Sequence, residues 1–394
     1  MTRLAACTFA TAFFLLAISA AWASGYDDFV AGLTASQQGK SQPAIDAFTR
    51  ALTGSDLAPS LQPIAYLDRG RAYWEQGDLD RASADFTAAI RLKPDFADAY
   101  ALRAELLLGK GAADDSIADA SKALSLNEHQ AGVYDVRGMA YALKGEIDRA
   151  TADLDTAIRI SPTAGRYVDR GNVYRRFAHY ESALSNYAEA IAIDPKYYSA
   201  YFERAITYEL VGQLSDARAD IENLLDPLKF PESSDASFAA GRISWLLDNF
   251  PAADRQFQTA FDKAGNANAR DYIALWEYLA KAREAGDGST WVAQKAADLD
   301  FAAWPGPLLN LYMGKASADE VLASASSSGS GSQTPQDRKC EADFYIAELH
   351  LLHKKQAEAT SLFQDAAKIC NPVYIESTAA QVELALLKQG QLGK

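Results

Sequence analysis

Cysteine and histidine are scarce in this chain of 394 residues, which holds three Cys and four His. They are Cys7, Cys340, Cys370, His129, His179, His350 and His353, and no CxxC-type pair occurs among them. A structural zinc site needs a cluster of such ligands at short spacing, so that class is excluded. Basic charge is also short, with 38 Lys and Arg against 52 Asp and Glu and a net charge of −14. A surface that acidic repels phosphate backbones, which argues against nucleic acid as a partner. Catalytic signatures are missing as well: the sequence has no GxxxxGK[ST] loop, no HExxH and no GxSxG. His350 and His353 lie three apart without a third ligand nearby, and the pairs Asp27-Asp28 and Asp114-Asp115 read as solvated caps. No catalytic residue, metal site or cofactor is therefore assigned. What remains is 49% hydrophobic and 23% charged, a balance that excludes disorder and a multi-span membrane protein.

One apolar run stands out. Arg3 precedes Leu4 to Ala21, and Ala21-Trp22-Ala23 places small residues at −3 and −1 of a cut before Ser24. Residues 1–23 read as a cleaved secretory signal, which implies a periplasmic protein with no membrane span after cleavage. Removal of Arg3 leaves 37 − 52 = −15. An uncleaved anchor is the alternative. Lipidation at Cys7 in Leu4-Ala5-Ala6-Cys7 is less apt, because a lipobox has its apolar stretch before the Cys and here it follows.

The rest of the chain is organised by a repeat of 33–34 residues. Its first-helix signature is Tyr66-x-x-Arg69-Gly70, then Tyr100-x-x-Arg103-Ala104, Tyr134-x-x-Arg137-Gly138, Tyr167-x-x-Arg170-Gly171 and Tyr201-x-x-Arg204-Ala205. A large residue follows three further on (Tyr73, Leu107, Tyr141, Tyr174, Tyr208), and a turn glycine follows in four copies (Gly77, Gly111, Gly145, Gly212). A second helix carries Ala82-x-x-x-Phe86-x-x-Ala89 or its equivalents. This is the tetratricopeptide pattern, in which small residues let two antiparallel helices approach and large ones fill the space beside them. Weaker copies lie at about 25–57, 234–267 and 340–373. The expected fold is all-α, a right-handed superhelical solenoid of antiparallel helix pairs. Residues 24–267 would form about seven repeats, and 268–339 an irregular helical insert with a Ser/Gly-rich loop at 324–333. Residues 340–394 would hold a last repeat and a capping helix.

Each signature arginine has an acid or amide sixteen residues later: Asp85, Asp119, Asp153, Asn186 and Asp220. That distance spans helix, turn and partway back, so each pair should meet between the two helices and satisfy a part-buried guanidinium. An anion-binding ladder is the functional alternative. Cys340 and Cys370 are the two cysteines left after signal removal, placed at opposite ends of the last helix pair, so a disulfide is expected in an oxidising compartment. Two buried free thiols are the alternative.

The face that such repeats leave for binding is lined by the second, fifth, ninth, twelfth and thirteenth positions of each first helix. These are Leu67, Arg71, Trp74 and Glu75 in one repeat, Val168, Asn172, Arg175 and Arg176 in another, and Phe202 and Glu209 in the next. Trp74 is the leading candidate because Trp and Arg dominate binding hot spots. Arg175-Arg176 could receive a carboxylate such as a peptide terminus.

In the carboxy-terminal third, "LWEYLA" at 275–280, the Trp304 to Gly314 segment and "CEADFYIAELHLLHKKQAEATSLFQDAAKICNP" at 340–372 resemble NlpI-type tetratricopeptide lipoproteins of the bacterial envelope. The resemblance implies a non-enzymatic adaptor that homodimerises and brings a periplasmic tail-specific protease together with murein hydrolases. It also implies association with the outer membrane, although the lipid anchor of that family has no counterpart here. An alternative function is a periplasmic module that binds a peptide or cell-wall fragment in its concave groove for an export or envelope pathway.

Overall fold

The computed structural model describes residues 24–227, 229–231, 233–327, 333–370 and 375–388. Residues 1–23, where a secretory signal is expected, with Arg3 and Cys7, and residues 328–332 of the Ser/Gly-rich stretch lie outside the described residues. Everything described is helical or connecting chain, and it forms two compact units that divide between Pro162 and Thr163.

The first unit is four helix pairs: α1 (Gly25–Gln37) with α2 (Ser41–Thr53), α3 (Gln62–Glu75) with α4 (Leu79–Leu92), α5 (Ala97–Gly109) with α6 (Ala113–Leu126), and α7 (Ala131–Leu143) with α8 (Ile147–Ile160). Each pair closes on a small residue. A Cβ added to Gly70 would lie 2.7 Å from the Phe86 ring, and one added to Gly32 would lie 2.6 Å from Phe48. Where the first helix has Ala104 instead, the second has the small Ala120 in place of the ring, and both are fully buried. The turns reverse through left-handed residues at Gly39, Gly77, Gly111 and Gly145, with φ between 67° and 80°.

The arginines do what the sixteen-residue spacing predicts, and they do more. Arg69, Arg103 and Arg137 each hold their aspartate through two hydrogen bonds, at 2.8 and 2.8 Å to Asp85, 2.6 and 2.9 Å to Asp119, and 2.7 and 2.8 Å to Asp153. The remaining terminal nitrogen reaches back to a hydroxyl of the preceding pair: Thr49 at 3.1 Å, Thr87 at 3.0 Å and Ser121 at 3.2 Å. One guanidinium thus ties together two helices of its own pair and the helix before it. Lys110 to Asp80 at 2.7 Å and Lys144 to Asp114 at 2.6 Å repeat the same backward link at the exposed turns.

The second unit opens with α9 (Ala164–Arg176), α10 (Tyr180–Ile193), α11 (Tyr198–Leu210) and α12 (Leu214–Leu224), where Arg170 donates to Asn186 at 2.7 Å and Arg204 to Asp220 at 2.7 Å. A further pair, α13 (Ser234–Leu246) and α14 (Phe250–Lys263), leads into α15 (Ala267–Ala285). Every residue from Ile273 to Ala280 is buried, because this helix is surrounded by its neighbours. Trp276 meets Trp245 edge-on at 5.3 Å and Phe344 at 5.6 Å. Then come the short α16 (Ser289–Gln294), a 3-10 turn at Ala296–Asp298, α17 (Gly306–Tyr312) and α18 (Ala318–Ser326). Within the irregular insert expected over 268–339, α17 and α18 are separated by a reversal at Gly314, whose φ is 67°. Tyr312 stacks on Tyr278 at 4.2 Å, which anchors this irregular region to α15.

The last pair is α19 (Pro335–Leu352) and α20 (Gln356–Ile369), followed by α21 (Ile375–Lys388). It begins five residues before the expected boundary, because Thr334 caps α19 in a reciprocal pair with Asp337. Cys340 therefore sits in the second turn of α19 instead of opening it. Its sulfur is bonded to that of Cys370, which caps the C-terminus of α20, with 5.1 Å between Cα atoms.

Two predictions follow from these contacts. Arg137→Ala strands a buried carboxylate and should lower unfolding free energy by about 2–4 kcal/mol. Arg71→Ala removes a single long contact, 3.4 Å, between an exposed guanidinium and the half-buried Asp68 and should cost less, about 1 kcal/mol or below. Equal losses in chemical denaturation would contradict the assignment. The disulfide closes a sequence separation of 30 residues. Its reduction should cost roughly 3–4 kcal/mol on the loop-entropy model. Thiol titration of the denatured, unreduced protein should find neither Cys340 nor Cys370 free.

Candidate functional site: the first-helix face and a buried acidic cavity

The residues expected to line a binding face divide into two groups. Leu67 and Val168 are buried at 4% and 5% exposure, so they belong to the core and not to an open face. Glu209 is buried too, because Arg242 of α13 binds its carboxylate at 2.9 Å. Arg175 is engaged internally, donating to Glu203 of α11 at 2.7 Å, which corrects its expected role as a receptor for an incoming carboxylate. Asn172 accepts from the Tyr187 hydroxyl at 2.8 Å, and Phe202 stacks on Tyr198 at 6.0 Å. Trp74 is half-buried, edge-on to Phe86 at 6.3 Å, so it covers its own helix pair with one side and meets solvent with the other.

Arg71, Glu75 and Arg176 remain exposed. Sequence reasoning missed the apolar part of the same face in the first unit: Tyr26, Ile64 and Leu143 are 58%, 37% and 44% exposed. They occupy the second and thirteenth positions of their first helices. Reading the second and thirteenth positions of every repeat, including the second position of the repeat that holds Leu67, finds them.

The second unit contains a cavity of about 370 Å³, bounded by α13, α15, α19 and α21. Phe238, Tyr272, Ile273, Trp276 and Ile375 supply apolar wall, while Glu341 and Glu376 supply carboxylates that are 2% and 4% exposed. Glu341 accepts from the Tyr272 hydroxyl at 2.8 Å, the Trp304 indole at 2.7 Å and the Gln333 amide at 2.7 Å. Glu376 accepts from Tyr345 at 3.1 Å. Burial, and then the charge of Glu376, push the Glu341 carboxyl up to about 8, and burial raises Glu376 as well.

This is part of a wider pattern. Burial raises Glu277 to about 9, with the charge of nearby Asp254 adding to it. Neither Glu277 oxygen has a hydrogen-bond partner, and Lys281 lies 3.7 Å away while binding Asp254 at 2.6 Å. Glu348 and Glu383 share Arg283 at 2.7 and 3.2 Å, and burial still lifts Glu383 to about 8.

A carboxyl whose folded pKa is raised keeps its proton where the unfolded chain has lost it. Stability therefore falls as pH rises from about 4.5 to about 8. Thermal unfolding should show a higher midpoint near pH 5 than near pH 8, and Glu277→Gln should raise the midpoint at the alkaline end and flatten the profile. A profile that rises with pH through this range would contradict the burial argument.

The site can be placed among known proteins. Tetratricopeptide repeat models match residues 29–82, 67–131, 131–163, 164–197 and 186–219. A Haemophilus influenzae protein named as a lipoprotein NlpI homolog is 26% identical over 234 residues, which are 58% of this chain and 71% of that one. Human tetratricopeptide repeat protein 6 is 27% identical over 179 residues, 44% of this chain and 34% of its own length. The crystal structure of a tetratricopeptide repeat protein from Parabacteroides merdae superposes with a TM-score of 0.53 at 18% identity, over 65% of this chain and 98% of its own, a likeness of fold. Residues 29–219 thus carry tetratricopeptide repeats, the architecture of a protein-interaction scaffold.

Proposed function

We propose that the protein is an exported adaptor of the cell envelope that binds other proteins through the first-helix face of its repeats. Its partners in this reading are a periplasmic tail-specific protease and murein hydrolases, and it has no catalytic turnover of its own. The observation that carries the proposal is the recurrence of exposed apolar and charged side chains on the first helices: Tyr26, Ile64, Arg71, Glu75 and Leu143. A repeated, open face of mixed character suits an extended segment or a helix of another protein. Similarity to a relative named as an NlpI homolog, and the "LWEYLA" and 340–372 segments, support the envelope setting. No described helix is long and apolar enough to cross a membrane.

Crosslinking in intact cells followed by affinity capture tests the reading. The wild-type protein should recover a protease and a murein hydrolase, and Ile64→Ala with Arg71→Glu should reduce recovery by about tenfold or more, the loss that hot-spot residues carry. Recovery of neither enzyme class, or recovery unaffected by the double substitution, would refute it.

A further inference from the structure

The cavity in the second unit has a chemistry of its own. Among the described residues its lining contains Asp235, Glu341 and Glu376 and no lysine, arginine or histidine. The floor is formed by buried Trp276, Glu341 and Glu376, whereas Asp235 is exposed and Ser234 and Gln333 are half-buried, which places the entrance at those three. The volume of about 370 Å³ falls within the range of small-ligand pockets, about 300–1,000 Å³. The nearest cation that acts on Glu376 is Arg242, and that guanidinium is already held by Glu209 at 2.9 Å.

Three features together select an occupant. The aromatic and aliphatic walls of Phe238, Tyr272, Trp276 and Ile375 favour an apolar body. The carboxyl groups disfavour an anion, and burial, which favours the protonated form of Glu341 and Glu376, is offset when a cation takes the proton's place. Tyr272 and Trp276 add aromatic rings to the same lining, a setting that suits an organic cation. A bare metal ion fits less well, because no group of three potential ligands converges among the described residues.

We propose that this cavity binds a primary ammonium group carried on an apolar, aromatic-sized body, with Glu376 and Glu341 as the counter-charge and Asp235 drawing the cation to the entrance. The ammonium can belong to a free amine or to the first residue of a peptide. The proposal stands apart from the adaptor reading, because it involves neither the first-helix face of the first unit nor any protein partner.

Calorimetric titration of the whole purified protein decides it. Four probes are compared: 2-phenylethylamine, its anionic counterpart 3-phenylpropionate, the dipeptide amide Phe-Ala-NH2 and the N-acetylated form of that dipeptide amide. Saturable binding of the amine, at least about tenfold tighter than the anion, is expected from one charge-assisted hydrogen bond. Tighter binding of the dipeptide amide than of the free amine, lost on acetylation, would assign the peptide source; the reverse order would assign the free amine. Glu376→Gln keeps an acceptor for Tyr345 and should weaken amine binding by about tenfold. Asp235→Asn, at the exposed entrance, should weaken it less without lowering the melting temperature. If Glu376→Gln does not fold, the comparison of amine with anion on the wild-type protein and the Asp235→Asn titration still decide. Absence of saturable amine binding at millimolar concentration, or equal binding of amine and anion, overturns the proposal.

Discussion

The repeat region depends on one group, the guanidinium that sits between the two helices of a pair and reaches back to the pair before it. Arg137 shows the arrangement in full, with two bonds to Asp153 on its own second helix and one to Ser121 on the preceding one. A planar donor fork can serve three acceptors in two directions at once, which a lysine ammonium on a flexible stem cannot do with the same geometry. The fork also fixes the separation of the helices. That separation is why Gly70 must be without a side chain where the Phe86 ring lies against it, while the smaller Ala120 leaves room for Ala104. Backbone approach, ring packing and ion pair are three expressions of one distance.

The second unit solves a different problem. Its α15 is enclosed on all sides, so residues that would face water on an outer helix, Asp271 and Glu277, are carried into the core along with Trp276 and Tyr278. Some of the buried acids meet a guanidinium, as Glu209 does with Arg242 and Glu348 with Arg283. Others are accommodated by neutral donors or by holding a proton, as the raised pKa values of Glu341 and Glu277 indicate. An interior of this kind contributes less net stability than an apolar one of equal volume, because desolvation offsets much of the attraction. What it provides instead is polarity at a depth where a ligand can be recognised.

Much of this was legible in the sequence, for a physical reason. The repeat signal survives because every copy must satisfy the same helix approach, so Tyr, Arg and a small residue recur at fixed spacing, and the partner of each arginine can be found by counting. The pairing of Cys340 with Cys370 followed from the same register. The binding face was less legible. Position numbers alone do not tell whether Leu67 meets solvent or core, nor that Glu203 and Arg242, each on a neighbouring first helix, would claim Arg175 and Glu209. The cavity was not legible at all. Its walls come from residues 234, 272, 341 and 376, which no local pattern connects, and the acids of α15 and α19 looked like ordinary surface residues until the helices around them were in place.

The turns of the helix pairs carry a difference between the units. All four in the first unit pass through glycine, but three in the second pass through Ala178, Asp248 and Lys354, at φ of 59°, 57° and 61°. A side chain in that region costs roughly 1 kcal/mol that glycine does not pay. In the first unit the reversal is therefore compatible with local preference. At Ala178, Asp248 and Lys354 it is held against that preference by the packing of the helices on either side.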